Sequence, residues 1–226
     1  MRFSENLIKN FINNCLYIFI LGIKKCYMKK KVLLSLWFGL LIAAIGFLFW
    51  HNEFKYSLPT PIPKNYHKVA MGSAIHLSQC CAFDSKPVFF HFFNPDCPCS
   101  RFNVPHVTEL IKKYGNQVNF KIVVLNTKKT FTISEIQEKF GAQIPVYFDE
   151  GIAKKCGVIS TPQAVLLDPL HNLYYRGNYN KTRYCTDAAT NYAQMAIESL
   201  LGQEKSRSFN AFALRAYGCS LPNCTK

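Results

Sequence analysis

The chain has 226 residues, 49% of them apolar, and ten cysteines. That is enough for one domain of ordinary size plus extras. The apolar content excludes a wholly disordered chain, and the lack of a Gly-x-y period excludes a collagen-like one. Lys and Arg number 27 against 13 Asp and Glu, a formal charge of +14. Such an excess points to nucleic acid, an anionic membrane face or topogenic segments, and its placement decides between them. Residues 1–31 hold Arg2, Lys9, Lys24, Lys25, Lys29, Lys30 and Lys31 against Glu5 alone. The remaining charge is scattered, with no basic run interleaved with aromatics, so a nucleic-acid partner is not expected.

Val32 to Trp50 reads VLLSLWFGLLIAAIGFLFW, with Ser35 as its only polar side chain. At about 1.5 Å per residue a helix of this length, with its flanks, spans a hydrocarbon core of roughly 30 Å. Lys29 to Lys31 precede it, so by the positive-inside tendency residues 1–31 stay cytoplasmic and residues 51–226 lie across the membrane. A cleaved signal peptide needs a shorter apolar core and a small-x-small site. The run instead continues through Phe47 to Trp50 with no Ala-x-Ala after it. The expectation is an uncleaved signal anchor over 32–50, in a cell inner membrane, with the following domain in the periplasm. A second apolar run, Phe11 to Ile23, contains Asn13 and Asn14 and is short for a span. Met28 would make a compact start to the anchor, and residues 1–27 read as an extension ahead of it.

Residues 51–69 carry Pro59, Pro61 and Pro63 and read as a stiff, extended linker. KPVFFHFF (86–93) is apolar throughout, as in a central strand buried on both faces. It runs into Asn94-Pro95-Asp96-Cys97-Pro98-Cys99-Ser100. Val104, Val107, Leu110 and Ile111 then recur at helical spacing as far as Tyr114. VNFKIVVL (118–125) is a second strand, 134–140 a helix ending at Gly141, 144–148 a short strand and 151–156 a short helix ending at Gly157. Strand 163–167 enters the Asp168–Asn172 turn and returns as 173–176. A helix is expected over 186–201, with Ala188, Tyr192, Met195, Ile197, Leu200 and Leu201 on its apolar side. Strands alternating with helices imply a parallel sheet with crossovers, and the hairpin makes the sheet mixed. Residues 204–226 form a polar tail containing Cys219 and Cys224, with no role legible in its sequence.

The chemistry concentrates at Cys97 and Cys99. A cysteine at a helix N-terminus faces unsatisfied N–H groups and the positive end of the dipole, which favours the thiolate, the nucleophile of disulfide exchange. Asp96, if close in space, works against this. Pro98 suits an early helical position that needs no N–H. The plainer reading is a structural or inert pair, and placement at a helix start argues against it.

A cysteine motif after a buried strand, Ser160-Thr161-Pro162 before a later strand, and the Asp168 hairpin ending in Tyr175-Arg176-Gly177 together resemble the thioredoxin-like superfamily. The resemblance is closest to its membrane-anchored, exported thioredoxin and redoxin-like members, and covers roughly residues 70–203. It implies a three-layer α/β/α fold with a mixed central sheet, here preceded by one transmembrane helix. It also implies that Pro162 is the cis-proline that shapes the substrate groove, with Thr161 before it; an ordinary trans turn proline is the plainer alternative. The activity implied is thiol–disulfide exchange on protein thiols and disulfides, with a membrane or periplasmic redox partner and no cofactor.

The motif departs from the usual Cys-x-x-Cys. Ser100 stands where the resolving cysteine belongs, and Asp96 replaces the tryptophan that usually precedes the first cysteine. Either Cys97 and Cys99 pair directly, through a small and strained ring, or Cys97 acts alone or with a distant partner such as Cys185 or Cys219. The other exported cysteines, Cys80, Cys81, Cys156, Cys185, Cys219 and Cys224, suit disulfides in an oxidising compartment. Cys185 and Cys219 bracket the last helix and could staple the tail. Cys15 and Cys26 fall on the membrane or cytoplasmic side.

Three alternatives remain within the fold. A Cu(I) chaperone would add a histidine to the cysteines. His91 is expected to be packed in the core, His106 at a helix surface and His171 in a solvated turn, and the copper family spaces its cysteines three residues apart. A peroxiredoxin-like thiol peroxidase has Thr three residues before its cysteine, where this chain has Asn94. A non-catalytic interaction domain is the third possibility.

Overall fold

The computed structural model describes residues 29–77, 85–125, 127, 129–202 and 208–221. The Phe11–Ile23 run, Met28 and Cys15, Cys26, Cys80, Cys81 and Cys224 lie outside the described residues. The chain divides into two units, Met1–Glu53 and Phe54–Lys226.

Helix α1 (Lys29–Ser57) is long and apolar enough to cross a membrane, and its most apolar window buries nothing within the protein. Leu33, Ile42 and Phe47 are exposed on it. One turn, Trp50–Phe54, is π-helical.

The second unit is built on a five-stranded mixed sheet. Its strands are β1 (Val88–Phe93), β2 (Asn119–Val124), β3 (Val146–Tyr147), β5 (Gln163–Leu167) and β6 (Leu173–Gly177), in the spatial order β3-β2-β1-β5-β6. β1 runs parallel to β2 and antiparallel to β5. β2 and β3 are parallel, and β5 and β6 form the hairpin. A separate two-stranded ladder joins β4 (Ser160–Thr161) to β7 (Cys219–Ser220).

Every residue of β1 is buried, as a central strand covered on both faces requires. Because side chains alternate, Phe89 and Phe93 enter one core and Phe90 and Phe92 the other. The first core packs β1 against α2 (Pro98–Tyr114), α3 (Ile133–Phe140) and α5 (Tyr192–Leu200), through Leu110, Ile136, Phe140, Ala193 and Ile197. The second packs it against α4 (Glu150–Cys156) through Ile152, Ala153 and Cys156, with Ile75 and Leu77 alongside. Helices therefore cover both faces, giving the expected α/β/α layers.

Local signals set the boundaries. A capping box starts α3: Thr132 Oγ1 accepts from the Glu135 N–H, and the Glu135 carboxylate accepts from the Thr132 N–H. The hairpin turn closes on Asp168, whose Oδ1 accepts from the Leu170 and Asn172 N–H groups.

Two expectations are corrected. The helix expected from 186 begins at Tyr192. Asp187 instead caps a short 3-10 turn, Ala188–Thr190, and the Asn180 side chain ties the Asp187 carbonyl to the Asn191 side chain. Ala188 is consequently exposed. His106, expected at the surface, is 8% exposed, because its face of α2 turns inward against the Tyr179 ring at 5.9 Å.

The described part of the tail, residues 208–221, contains regular structure. Residues Ala211–Leu214 form α6, and its Ala213 is buried in the first core. The Ala213 carbonyl lies over Gly177, where a Cβ would meet it at 2.2 Å.

Candidate thiol–disulfide site

The site forms where β1 ends and α2 begins. The Asn94–Cys97 turn closes on itself: the Cys97 N–H donates to the Asn94 carbonyl at 3.0 Å, and the Asp96 N–H donates to Asn94 Oδ1 at 2.8 Å. Ser100 Oγ accepts from the Asn94 N–H at 3.3 Å and is fully buried. The residue in the usual place of the resolving cysteine is therefore a brace for the loop that presents Cys97.

Cys97 is the N-cap of α2, with extended backbone (φ −85°, ψ 124°), and Pro98 opens the helix. Its side chain makes no cap, so the thiol stands beside the positive end of a seventeen-residue helix. The antiparallel register of β1 and β5, with Phe92 opposite Gln163, brings the preceding Ser160–Pro162 loop to the same end of the sheet. The Thr161–Pro162 peptide is cis. Cys97 Sγ lies 4.0 Å from the Thr161 carbonyl oxygen, to which the thiol donates. All four residues named from the sequence, Cys97, Cys99, Thr161 and Pro162, thus belong to one locus.

A third sulfur joins them. Cys97, Cys99 and Cys219 form their own buried cluster, exposed by only 1%, 3% and 4%, with Tyr56 packed against it. The Cys99 thiol is hydrogen-bonded to both of the others. The bond with Cys219 pulls the Cys99 pKa down, but the bond with Cys97 and burial outweigh it and push it up to about 11. Cys99 is a protonated thiol at neutral pH.

The staple between Cys185 and Cys219 is not formed. No disulfide joins any two of Cys97, Cys99, Cys156, Cys185 and Cys219. The β4–β7 ladder draws Cys219 to the cis-proline loop. Cys185 packs against the first core, 3.5 Å from Asn103 Nδ2, with its pKa pushed up to about 12 by burial. Cys156 lies in the second core.

Sequence reasoning missed Tyr56 and Arg183. The Arg183 guanidinium sits 4.9 Å from the Tyr56 ring centre and 4.8 Å from that of Tyr184, forming a cationic aromatic cover near the thiols. Neither residue lies in a motif, so no signal marks them.

Of the histidines, His91 Nδ1 is 2.7 Å from the Tyr179 hydroxyl, inside an aromatic box that includes Phe93 and Phe140. Burial, with His106 adding to it, pushes its pKa down to about 3. Among the described residues no group of three or more His, Cys, Asp or Glu side chains is arranged to hold a metal.

The mixed sheet with helices on both faces, with a cysteine at the N-cap of α2 opposite a cis-proline loop, is a thioredoxin-like fold. The chain belongs to the family described as a domain of unknown function (DUF6436), matched over residues 67–223. It is also similar to the thiol-disulfide oxidoreductase ResA of Bacillus cereus (strain ATCC 10987 / NRS 248). The two are 30% identical over 151 residues, which is 62% of this chain and 84% of that protein. The ResA of Bacillus thuringiensis subsp. konkukian (strain 97-27) matches to the same extent. Among solved structures, a hypothetical protein of Sinorhizobium meliloti 1021 shares the fold, with a TM-score of 0.56 and 16% identity over 71% of this chain and 97% of its own.

Proposed function

We propose that the chain is a thiol–disulfide oxidoreductase acting on protein disulfides outside the cytoplasm, tethered to the cell inner membrane by α1. The observation that carries this reading is Cys97, at the N-cap of α2, with its sulfur 4.0 Å from the carbonyl of the residue before the cis-proline. The relationship to thiol-disulfide oxidoreductases supports it.

The reaction follows from the asymmetry of the two thiols. Cys97, stabilised as thiolate by the helix terminus, attacks one sulfur of a substrate disulfide. The other substrate sulfur leaves with the electron pair and takes up a proton. Cys99 then gives up its proton and attacks Cys97 Sγ. The mixed disulfide breaks, the substrate departs as a dithiol, and Cys97–Cys99 remains oxidised. A membrane or periplasmic dithiol partner restores it, and the reverse sequence oxidises substrates. The Thr161 carbonyl and cis-Pro162 line the groove that positions the substrate backbone. The apolar run of α1, with Lys29–Lys31 at its cytoplasmic end, supports the tether and its orientation.

Reduction of insulin by the purified full-length chain, with a dithiol reductant, tests the reading. Cys97→Ser should lower the rate at least about a hundredfold, given that the nucleophile is removed outright. Wild-type turnover by the Cys97→Ser/Cys99→Ser double variant would overturn it.

A further inference from the structure

The tail meets the cis-proline loop as a strand. Ser220 pairs with Ser160 and Cys219 with Thr161, antiparallel, and the Leu221 N–H donates to the Ile159 carbonyl at 3.0 Å. A second segment holds the tail from its other side. The Thr60 N–H donates to the Ala216 carbonyl at 2.8 Å, Thr60 Oγ1 donates to the Gly218 carbonyl at 3.2 Å, and Pro59 bridges Tyr217. Gly218 adopts φ +134°, and a Cβ there would stand 2.4 Å from the Thr161 carbonyl oxygen. Only glycine lets the tail lie this close to the loop. With the tail seated, Cys97 is 1% exposed, so an external disulfide has no path to it.

We infer that residues 218–221 occupy the groove in which an extended substrate strand adds to the cis-proline loop, and that Cys219 is a third exchange thiol, the internal partner of Cys99. The inference rests on the exchange reading above and goes beyond it. Strand addition to a sheet edge is a general mode of peptide recognition. Here the chain supplies its own strand and its own sulfur. The ladder is only two residues long, so lifting the tail breaks few hydrogen bonds and a substrate strand can replace it.

The internal step balances without a further oxidant. It begins from the Cys97–Cys99 disulfide left by a reduced substrate. Cys219, as thiolate, attacks Cys99 Sγ. The Cys97–Cys99 bond breaks with its electron pair on Cys97, which takes the proton that Cys219 released. A Cys99–Cys219 disulfide forms, and one disulfide exists before and after. Cys97 returns to a thiol, and the tail is covalently locked over it until a dithiol reductant opens the bond.

Two measurements on the full-length chain in detergent test this. In Cys97→Ser, equilibration with oxidised glutathione followed by alkylation and mass spectrometry should recover most Cys99 joined to Cys219. Recovery of the two only as glutathione adducts or alkylated thiols would overturn the assignment. In Gly218→Ala, with circular dichroism unchanged, iodoacetamide should modify Cys97 at least tenfold faster than in the wild type. An unchanged rate would overturn the occupancy of the groove. If Gly218→Ala loses its helical signal, Thr60→Val, which removes one hydrogen bond to the tail, provides the same test. The disulfide map needs no substrate. A Cys99–Cys219 bond in a chain without reductase activity would count against the proposed function alone, and an active chain without that bond against this inference alone.

Discussion

Cys97 and Cys99 are separated by one proline yet sit in different surroundings. Cys97 stands at the N-cap position without capping the helix, whereas Cys99 lies inside its first turn, hydrogen-bonded between two sulfurs. An ordinary thiol titrates near about 8.5. With Cys99 pushed up to about 11, its thiol form persists through neutral pH and is lost only as pH rises toward that value. Alkylation of Cys99 in the reduced wild-type chain, resolved from the other cysteines by mass spectrometry, should therefore climb to its half-maximum well above pH 9. A profile centred below pH 8.5 would show that Cys99, too, is poised as a nucleophile. His91 gives a second prediction. Its folded pKa, about 3, lies below the value near 6.5 expected of the unfolded chain. Between those values the unfolded state binds a proton that the folded state refuses. The stability this group contributes is intact above about 6.5 and is lost as pH falls toward 3, at up to about 1.4 kcal/mol per pH unit. Urea midpoints should fall between pH 7 and pH 5, and His91→Phe should flatten that slope. An equal slope in the variant would place the acid sensitivity elsewhere. At this scale the sequence was readable where chemistry is local: Cys97, Cys99 and the Thr161–Pro162 pair are all marked by their immediate neighbours. His106 was misjudged because its burial depends on Tyr179, 73 residues further along the chain, packing against it.

The strands and helices were legible wherever one period dominated. The unbroken apolarity of 88–93 identified the central strand, and the helices expected over 134–140 and 151–156 each start within one residue of α3 and α4. The start of α5 was not legible, because Asn180, Asp187 and Asn191 outcompete the helix through side-chain hydrogen bonds that join distant positions. Packing between elements fixes the site as firmly as the local motif does. Leu166, fully buried on β5, belongs to the same core as Phe89 of β1 and Tyr175 of β6. Leu166→Ala should cost about 2–5 kcal/mol through lost burial and the cavity left behind, as measured by urea denaturation. A loss under about 1 kcal/mol would mean that this core collapses around the gap. The β4–β7 ladder is the element least visible in advance. Two residues of β7 carry too short a pattern to declare a strand, and the partner is some sixty residues earlier. Cys219 was nameable from the sequence as a distant cysteine, but its position beside Cys99 is a product of that ladder.

At the scale of the molecule, an apolar helix and a thioredoxin-like unit divide the work. The helix, Lys29–Ser57, is long and apolar enough to cross a membrane, and its most apolar window buries nothing within the protein, which is what the proposed tether rests on. The full-length chain expressed in a Gram-negative host should sediment with membranes and resist extraction by alkaline carbonate. Deleting residues 32–50 should release it. Full-length protein in the soluble fraction would contradict the tether. The thioredoxin-like unit keeps its three clustered sulfurs together by committing a glycine, a proline and a C-terminal strand to one loop. Its redox behaviour is accordingly where the reading stands or falls.

The most direct measurement is the redox titration of Cys97 and Cys99 in the full-length Cys219→Ser chain, equilibrated in glutathione and dithiothreitol buffers, trapped by alkylation and mapped by mass spectrometry. The expected result is one reversible two-electron couple joining the two cysteines, within the range of about −120 to −270 mV spanned by known exchange proteins. Two thiols that never join, or that form only independent glutathione adducts across that range, would contradict thiol–disulfide exchange at this site.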